Sequence, residues 1–202
     1  SQLFAISSES AANFPRWLGL IGQPAGDFVP IAAIAGLQPF DTVNGFAIDP
    51  RSGVAYLSTS GGSPISARLY RVNLSTAAAT FVGSMSAPTD PVGTIMIALA
   101  INCEGLLYAH NISDDALYSV SRVNGAVTLI GSHGLSANFA QGMDFDNSDG
   151  QLYAFMMLAS GENRFGRLDT TTGAFTTLAN NDPAGEFEGA IPGVCPATDA
   201  MF

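Results

Sequence analysis

Hydrophobic and polar residues alternate in short runs along most of the chain, and each run ends at Gly, Asn or Asp. The central stretch from Ile95 to Ser132 contains four such runs, which read IMIALAIN, CEGLLYAHN, DDALYSVSRV and NGAVTLIGS. Short alternating runs that are bounded by turn residues predict β-strands. Four of them in succession, joined by tight turns, predict an antiparallel meander.

The same four-strand unit recurs on both sides of this stretch. Its second strand carries the motif Gly-x-x-Tyr and its third strand the motif Leu-Tyr-x-Val. The tyrosines of these motifs are Tyr56, Tyr70, Tyr108, Tyr118 and Tyr153. Equivalent positions recur about every 48 residues, and a period of this size with four strands in each unit is the signature of a β-propeller blade. The sequence therefore predicts an all-β fold, with residues 1–202 forming a single propeller of about four blades.

Three full blades are predicted at about 43–85, 93–132 and 140–180. The chain ends indicate a fourth blade, which combines residues 1–22 with residues 186–202. A blade shared between the two termini would close the ring without leaving a free strand edge.

Within the shared blade, residues 1–7 match the third strands, 17–22 the fourth strands and 186–191 the first strands. No second strand is evident, because Pro196 argues against a central strand near the C-terminus. We expect this blade to be either incomplete or completed by something else, for which a neighbouring molecule is the obvious candidate.

The motifs G-x-L-Y, L-Y-x-V-N and T-G-x-x-T-x-I-G resemble those of secreted bacterial propeller proteins of the YVTN, NHL and kelch-like class. The resemblance covers nearly the whole chain and concerns the repeat pattern, in a small four-bladed form. Neither the recurring double glycine of kelch repeats nor the Trp-Asp dipeptide is present. The resemblance implies the fold but no particular activity, because propellers include both enzymes and passive binders.

Residues 23–41 interrupt the period with a stretch that has an apolar centre. A long excursion from a rigid scaffold is a common place for binding function, and an exposed apolar insert would be a contact surface. The alternatives are that the insert plugs the ring, covers a sheet edge or forms a small-molecule site. We predict contact or assembly residues at Phe28, Val29, Ile31, Ile34, Leu37 and Phe40.

Charged residues make up only 12% of the chain, against about a quarter in typical soluble domains. Two explanations compete: the small residues Ala, Ser, Thr and Gly cover the surface, or much of the surface is buried in an assembly. The net charge of −10 excludes nucleic acid as a partner and disfavours an acidic membrane surface.

No apolar run approaches the roughly 20 residues that are needed to span a bilayer. The abundance of Thr, Ser and Gly, together with the low charge, favours an extracellular or cell-surface location. The start of the chain inside a strand at Ser1 suggests a processed or trimmed N-terminus.

Three aspartates, Asp144, Asp146 and Asp149, lie close together before Gly150 and suggest a calcium loop. Their spacing does not match the EF-hand pattern, and no glutamate follows at the twelfth position. The equivalent stretches of the other blades are also rich in Asp, Asn and Gly, as hairpin turns require. We therefore interpret the segment first as a turn, and keep calcium as the alternative.

Two cysteines, Cys103 and Cys195, are predicted on opposite blades, where a disulfide within the chain would need the C-terminal tail to cross one face. Pairing between molecules and two free thiols are the other possibilities. The only two histidines, His110 and His133, show no metal-ligand spacing. The nucleophile motif G-x-S-x-G is absent.

The sequence thus favours a non-catalytic, acidic extracellular propeller without a cofactor. Its predicted role is structural or adhesive, through protein–protein contacts that produce an oligomer or filament. Other surface proteins or glycans are further candidate partners. The alternative is a ligand- or glycan-binding propeller, enzymatic or not, with its site on the axial face.

Overall fold

The computed structural model describes residues 3–7, 16–22, 25–88, 93–181 and Cys195, which form four antiparallel sheets named A to D here. Sheet A contains β1 (Phe4–Ile6), β2 (Trp17–Ile21) and β3 (Phe28–Ala33). Sheet B contains β4 (Thr42–Ile48), β5 (Ala55–Gly61), β6 (Ser66–Val72) and β7 (Ala79–Ser84). Sheet C contains β8 (Met96–Ile101), β9 (Leu107–Asn111), β10 (Ala116–Val120) and β11 (Val127–Ser132). Sheet D contains β12 (Ala137–Asp146), β13 (Gln151–Leu158), β14 (Asn163–Leu168) and β15 (Phe175–Asn181).

The four sheets form a four-bladed β-propeller, as the repeat predicted. In each of sheets B, C and D the strands pair in chain order, and the first strands β4, β8 and β12 pack side by side at the centre. The approach is close at Gly45, where an added Cβ would lie 2.7 Å from the Leu99 amide nitrogen. Glycine at this position therefore lets two neighbouring first strands meet.

Alternating side chains of each blade fill the seams on its two sides. In β8, Leu99 and Ile101 contribute to the core between sheets B and C, while Ala98 and Ala100 contribute to the core between sheets C and D. The two-residue period of a strand thus places half of its apolar residues in each seam. A third cluster fills the seam between sheets A and B, around Leu18.

Sheet A differs from the sequence interpretation. Every blade has a bulge between its third and fourth strands, and in sheet A that bulge lies between Leu18 and Gly19 of β2. By this register β1 and β2 are the second and third strands of the blade. The fourth strand is β3, which comes from the segment that we interpreted as an insert. The predicted first strand at 186–191 lies outside the described residues.

Proline explains why β3 was difficult to recognise. A proline inside an apolar run argues against a central strand, but it is tolerated on edge strands and at bulges. Pro30 satisfies both conditions, because β3 is the outer strand of sheet A and Pro30 lies opposite Gly19 at the bulge.

Candidate functional site

An axial pocket of about 270 Å³ lies where the central strands meet. Most of its lining is apolar or backbone, and its polar side chains are the amides of Asn44 and Gln141. Both amides have partners: Asn44 Nδ2 donates to Ser60 Oγ at 2.9 Å, and Gln141 Nε2 donates to the Met157 carbonyl at 2.7 Å. The described residues that line the pocket include no charged side chain. They therefore provide no acid–base pair for catalysis there.

The turns between the first and second strands meet around Cys103. Arg51, from the corresponding turn of sheet B, donates from Nε to the Cys103 carbonyl at 2.6 Å. Cys103 itself forms a disulfide with Cys195, with their Cα atoms 5.5 Å apart. Of the three alternatives that the sequence left open, the structure shows pairing within the chain. The disulfide fixes Cys195 to this turn of sheet C.

An ion pair crosses the seam between sheets B and C beside this turn. Arg122 Nη1 donates to Asp49 Oδ2 at 2.7 Å, and the other carboxylate oxygen accepts hydrogen bonds from the Arg51 and Ser52 amides. Burial raises the pKa of Asp49. The hydrogen bonds from Arg51, Ser52 and Arg122 outweigh that effect and leave the pKa at about 2.

We expect Asp49→Asn to lower the free energy of unfolding by about 1–2 kcal/mol at pH 7. A depressed pKa stabilises the fold fully above the unfolded value near 3.8, and this stabilisation disappears as the pH falls towards 2. Urea unfolding between pH 7 and pH 2 should therefore show a smaller acid-dependent loss in the variant. Asp27→Asn, at an exposed position, is the matched control. Equal acid sensitivity of wild type and Asp49→Asn would contradict the assignment.

The three aspartates of the suspected calcium loop act as turn formers. Asp146 Oδ1 accepts from the amide and the hydroxyl of Ser148, at 2.9 and 2.6 Å. Asp149 accepts from the Gln151 amide at 2.8 Å and from the Tyr153 hydroxyl at 3.0 Å. Asp144 Oδ1 accepts a hydrogen bond from the Phe145 amide at 2.8 Å. In the described part of the chain, no three His, Cys, Asp or Glu side chains lie together as a metal site would require.

The structure divides the six predicted contact residues into two groups. Ile31, Ile34 and Leu37 pack against the core between sheets A and B, and so have a structural role. The side chains of the other three are exposed. They are Phe28 at 39%, Val29 at 51% and Phe40 at 84%.

Phe40 is held outward by a buried polar cluster that the sequence interpretation missed. Its neighbour Asp41 is completely buried and accepts hydrogen bonds from Arg68 at 2.5 Å, Thr59 at 2.8 Å and Tyr70 at 3.0 Å. Phe40 itself has φ 67°, a left-handed conformation that bulky residues rarely adopt. Strain of this kind persists only where the surrounding structure imposes it, and it is concentrated at functional sites.

The two histidines, which the sequence left without a role, meet in the seam between sheets C and D. Their ring centroids are 4.3 Å apart in an edge-to-face arrangement. His110 comes from β9, and His133 follows β11 with its Nδ1 lying 3.2 Å from the Gly173 carbonyl. Their separation of 23 residues gives no sequence signal, and only the strand register brings the rings together.

Solved structures resemble the fold at low sequence identity. They include a nidogen/laminin complex (TM-score 0.59, 14% identity, 90% of this chain and 62% of that one). Virginiamycin B lyase from Staphylococcus aureus has a TM-score of 0.57 and 17% identity, over 95% of this chain and 60% of that one. The calcium-binding protein regucalcin from Agrobacterium tumefaciens has a TM-score of 0.55 and 16% identity, over 92% of this chain and 62% of that one. The chain thus spans about three fifths of each, and the likeness shows the propeller fold alone.

Sequence comparison adds the family. No curated protein matches the sequence. Within the described residues no helix is long and apolar enough to cross a membrane. A family model described as a repeat of unknown function, DUF6923, matches residues 40–191, which include sheets B, C and D. Because this match covers most of the chain, the protein belongs to the DUF6923 repeat family.

Proposed function

We propose that the protein is a non-catalytic binding module that acts through protein–protein contacts, with a second copy of the chain as its partner. The observation that carries the proposal is the presentation of Phe40. Its side chain is 84% exposed, while the adjacent Asp41 is fully buried in a hydrogen-bonded cluster. A rigidly supported, exposed aromatic ring is the kind of residue that dominates the binding energy of an interface.

Edge strands favour a second copy as the partner. Each sheet ends in an outer strand (β3, β7, β11 or β15), and an outer strand offers backbone groups for pairing with another chain. These strands also carry exposed apolar side chains. They are Phe28, Val29, Phe81, Leu129 and Leu178. Two copies therefore present matching edges to each other, and repeated contacts of this kind produce rings or filaments.

The disulfide supports a location outside the cell. Disulfides persist in oxidising compartments and are rare where thiols are kept reduced. Cys103 and Cys195 are paired within the chain, so the module suits an extracellular or cell-surface setting.

The axial pocket gives less support to a catalytic role. Its described lining consists of apolar side chains, backbone and two amides that already have partners. Ligand recognition in such a pocket would rest on shape and apolar contact, because no charged group converges on it from the described residues.

Light scattering coupled to size-exclusion chromatography tests the proposal. The wild-type protein is expected to show masses above the 20.8 kDa of one chain as its concentration rises. Replacing Phe40 by Ser should weaken association by about 30-fold, corresponding to the roughly 2 kcal/mol of an anchor residue. The matched control is Val123→Ser, because Val123 is 88% exposed in the turn between β10 and β11. A wild-type protein that stays monomeric at every concentration would overturn the proposed self-association. If both variants weakened association equally, Phe40 would not be the anchor residue.

A further inference from the structure

The His110–His133 pair is buried in the seam between sheets C and D. The two residues are 1% and 3% exposed, and the Nε2 atom of each is buried without a hydrogen-bond partner. His133 Nδ1 lies 3.2 Å from the Gly173 carbonyl, which can only accept, so in the neutral ring the proton lies on Nδ1. The Nε2 atom of His133 is therefore the position that would take up a second proton, and it has no hydrogen-bond partner in the closed seam.

Two carboxylates lie near the pair, and both are already engaged. Asp114 accepts from the Tyr118 hydroxyl at 2.5 Å and from Asn111 Nδ2 at 2.8 Å. Asp115 Oδ1 accepts from the Ala137 amide at 2.8 Å. These aspartates belong to the turn between β9 and β10, and sheet D contributes the Gly173 carbonyl. The Ala116 backbone also favours the charged form of His133. The surroundings thus compensate in part for a charge on His133, whereas burial and His133 both disfavour a charge on His110.

The same histidine connects the two sheets through its backbone. The His133 amide donates to the Asp115 carbonyl at 2.9 Å, within sheet C. The Phe175 amide, at the start of β15, donates to the His133 carbonyl at 3.3 Å. Movement of His133 would therefore break the contacts that join sheet D to sheet C at this point.

From this geometry we propose that His110 and His133 form an acid-sensitive latch, which holds sheets C and D together at neutral pH and releases the seam in mild acid. The two neutral rings pack edge to face and are almost completely shielded from solvent. Protonation of either ring buries a charge that its surroundings do not fully compensate, and protonation of both adds repulsion between rings whose centroids are 4.3 Å apart. Opening of the seam hydrates both rings and removes these costs.

The direction of the pH dependence follows from the two pKa values. Burial, reinforced by His133, lowers the pKa of His110 well below 6.5. Burial also lowers the pKa of His133. The Gly173 carbonyl, Asp115, Asp114 and the Ala116 backbone offset this effect only in part. The open state binds more protons than the closed state below pH 6.5, so acid favours opening. As the pH falls from 6.5 towards the closed-state pKa of a histidine, that histidine raises the equilibrium constant for opening by up to about tenfold for each pH unit.

Amide hydrogen exchange measured on the full chain tests the latch. After correction for intrinsic rates, protection of the Phe175 amide should fall by about 10- to 100-fold between pH 7 and pH 5.5. The Met85 amide, which donates to the Ala67 carbonyl within sheet B, is the internal reference and should change little. Equal losses at both amides would indicate global unfolding and would overturn a local latch, as would an unchanged Phe175.

Variants identify the responsible groups. His110→Leu combined with His133→Asn removes both titrating rings, and the asparagine amide can still donate to the Gly173 carbonyl. The acid response of Phe175 should disappear in this double variant, and its persistence would overturn the proposal. If the double variant does not fold, NMR titration of the wild-type imidazole signals decides the matter. Neither ring should titrate near pH 6.5 in the closed protein, and ordinary titration of both would refute the latch.

Discussion

Removal of the Cys103–Cys195 disulfide is expected to lower the free energy of unfolding by about 4 kcal/mol. The bond joins residues that are 92 positions apart, and closing a loop of this length strongly restricts the unfolded chain. Domains of this size have total stabilities of roughly 5–15 kcal/mol, so the loss would be a large share of the whole. Guanidinium unfolding of the wild type and of Cys103→Ser/Cys195→Ser measures the difference directly.

Controls separate the bond from other effects of the substitutions. A reducing agent should destabilise the wild-type protein to the level of the double variant and should leave the double variant unchanged. Non-reducing electrophoresis should show a monomer, because Cys103 and Cys195 pair within one chain. Two reactive thiols in the native protein, or a reducible dimer, would contradict the pairing.

The spacing of the tyrosine motifs predicted the blades closely. Residues 43–85, 93–132 and 140–180 match the observed limits of sheets B, C and D to within a few residues. This succeeded because each blade uses the same turn chemistry and the same alternation, and both are local properties of the sequence. The interpretation of Asp146 and Asp149 as turn residues is confirmed for the same reason.

Features that depend on the path of the chain through space were not predictable. The disulfide depends on how the chain reaches Cys195, and no local pattern records that path. The position of His110 depends on the register between β9 and β10, in which it lies opposite Leu117. The equivalent register in sheet B places Ser58 opposite Leu69, so the repeat itself does not indicate a histidine pair. The Asp41 cluster likewise collects partners from β5 and β6 that are distant in sequence.

Glycines in the fourth strands determine how closely the blades pack. A Cβ added to Gly83 would overlap the Asn124 carbonyl, and one added to Gly131 would overlap the Thr172 carbonyl. In both seams the glycine lies against the hairpin turn between the third and fourth strands of the next blade. The contacted atoms are backbone, which cannot rotate away as a side chain can. Glycine is therefore required at both positions by close approach of two chain segments.

Gly131→Ala is accordingly expected to lower the free energy of unfolding by about 3 kcal/mol, since overpacking against a fixed backbone forces the two sheets apart. In a domain of this length that loss corresponds to a fall in melting temperature of roughly 6–12 °C. Gly22→Ala is the matched control, because its nearest neighbour, the Asp27 carbonyl, lies 3.5 Å from the added Cβ. We expect little change there. A Gly131→Ala protein as stable as the wild type would show that sheets C and D pack less closely at this seam.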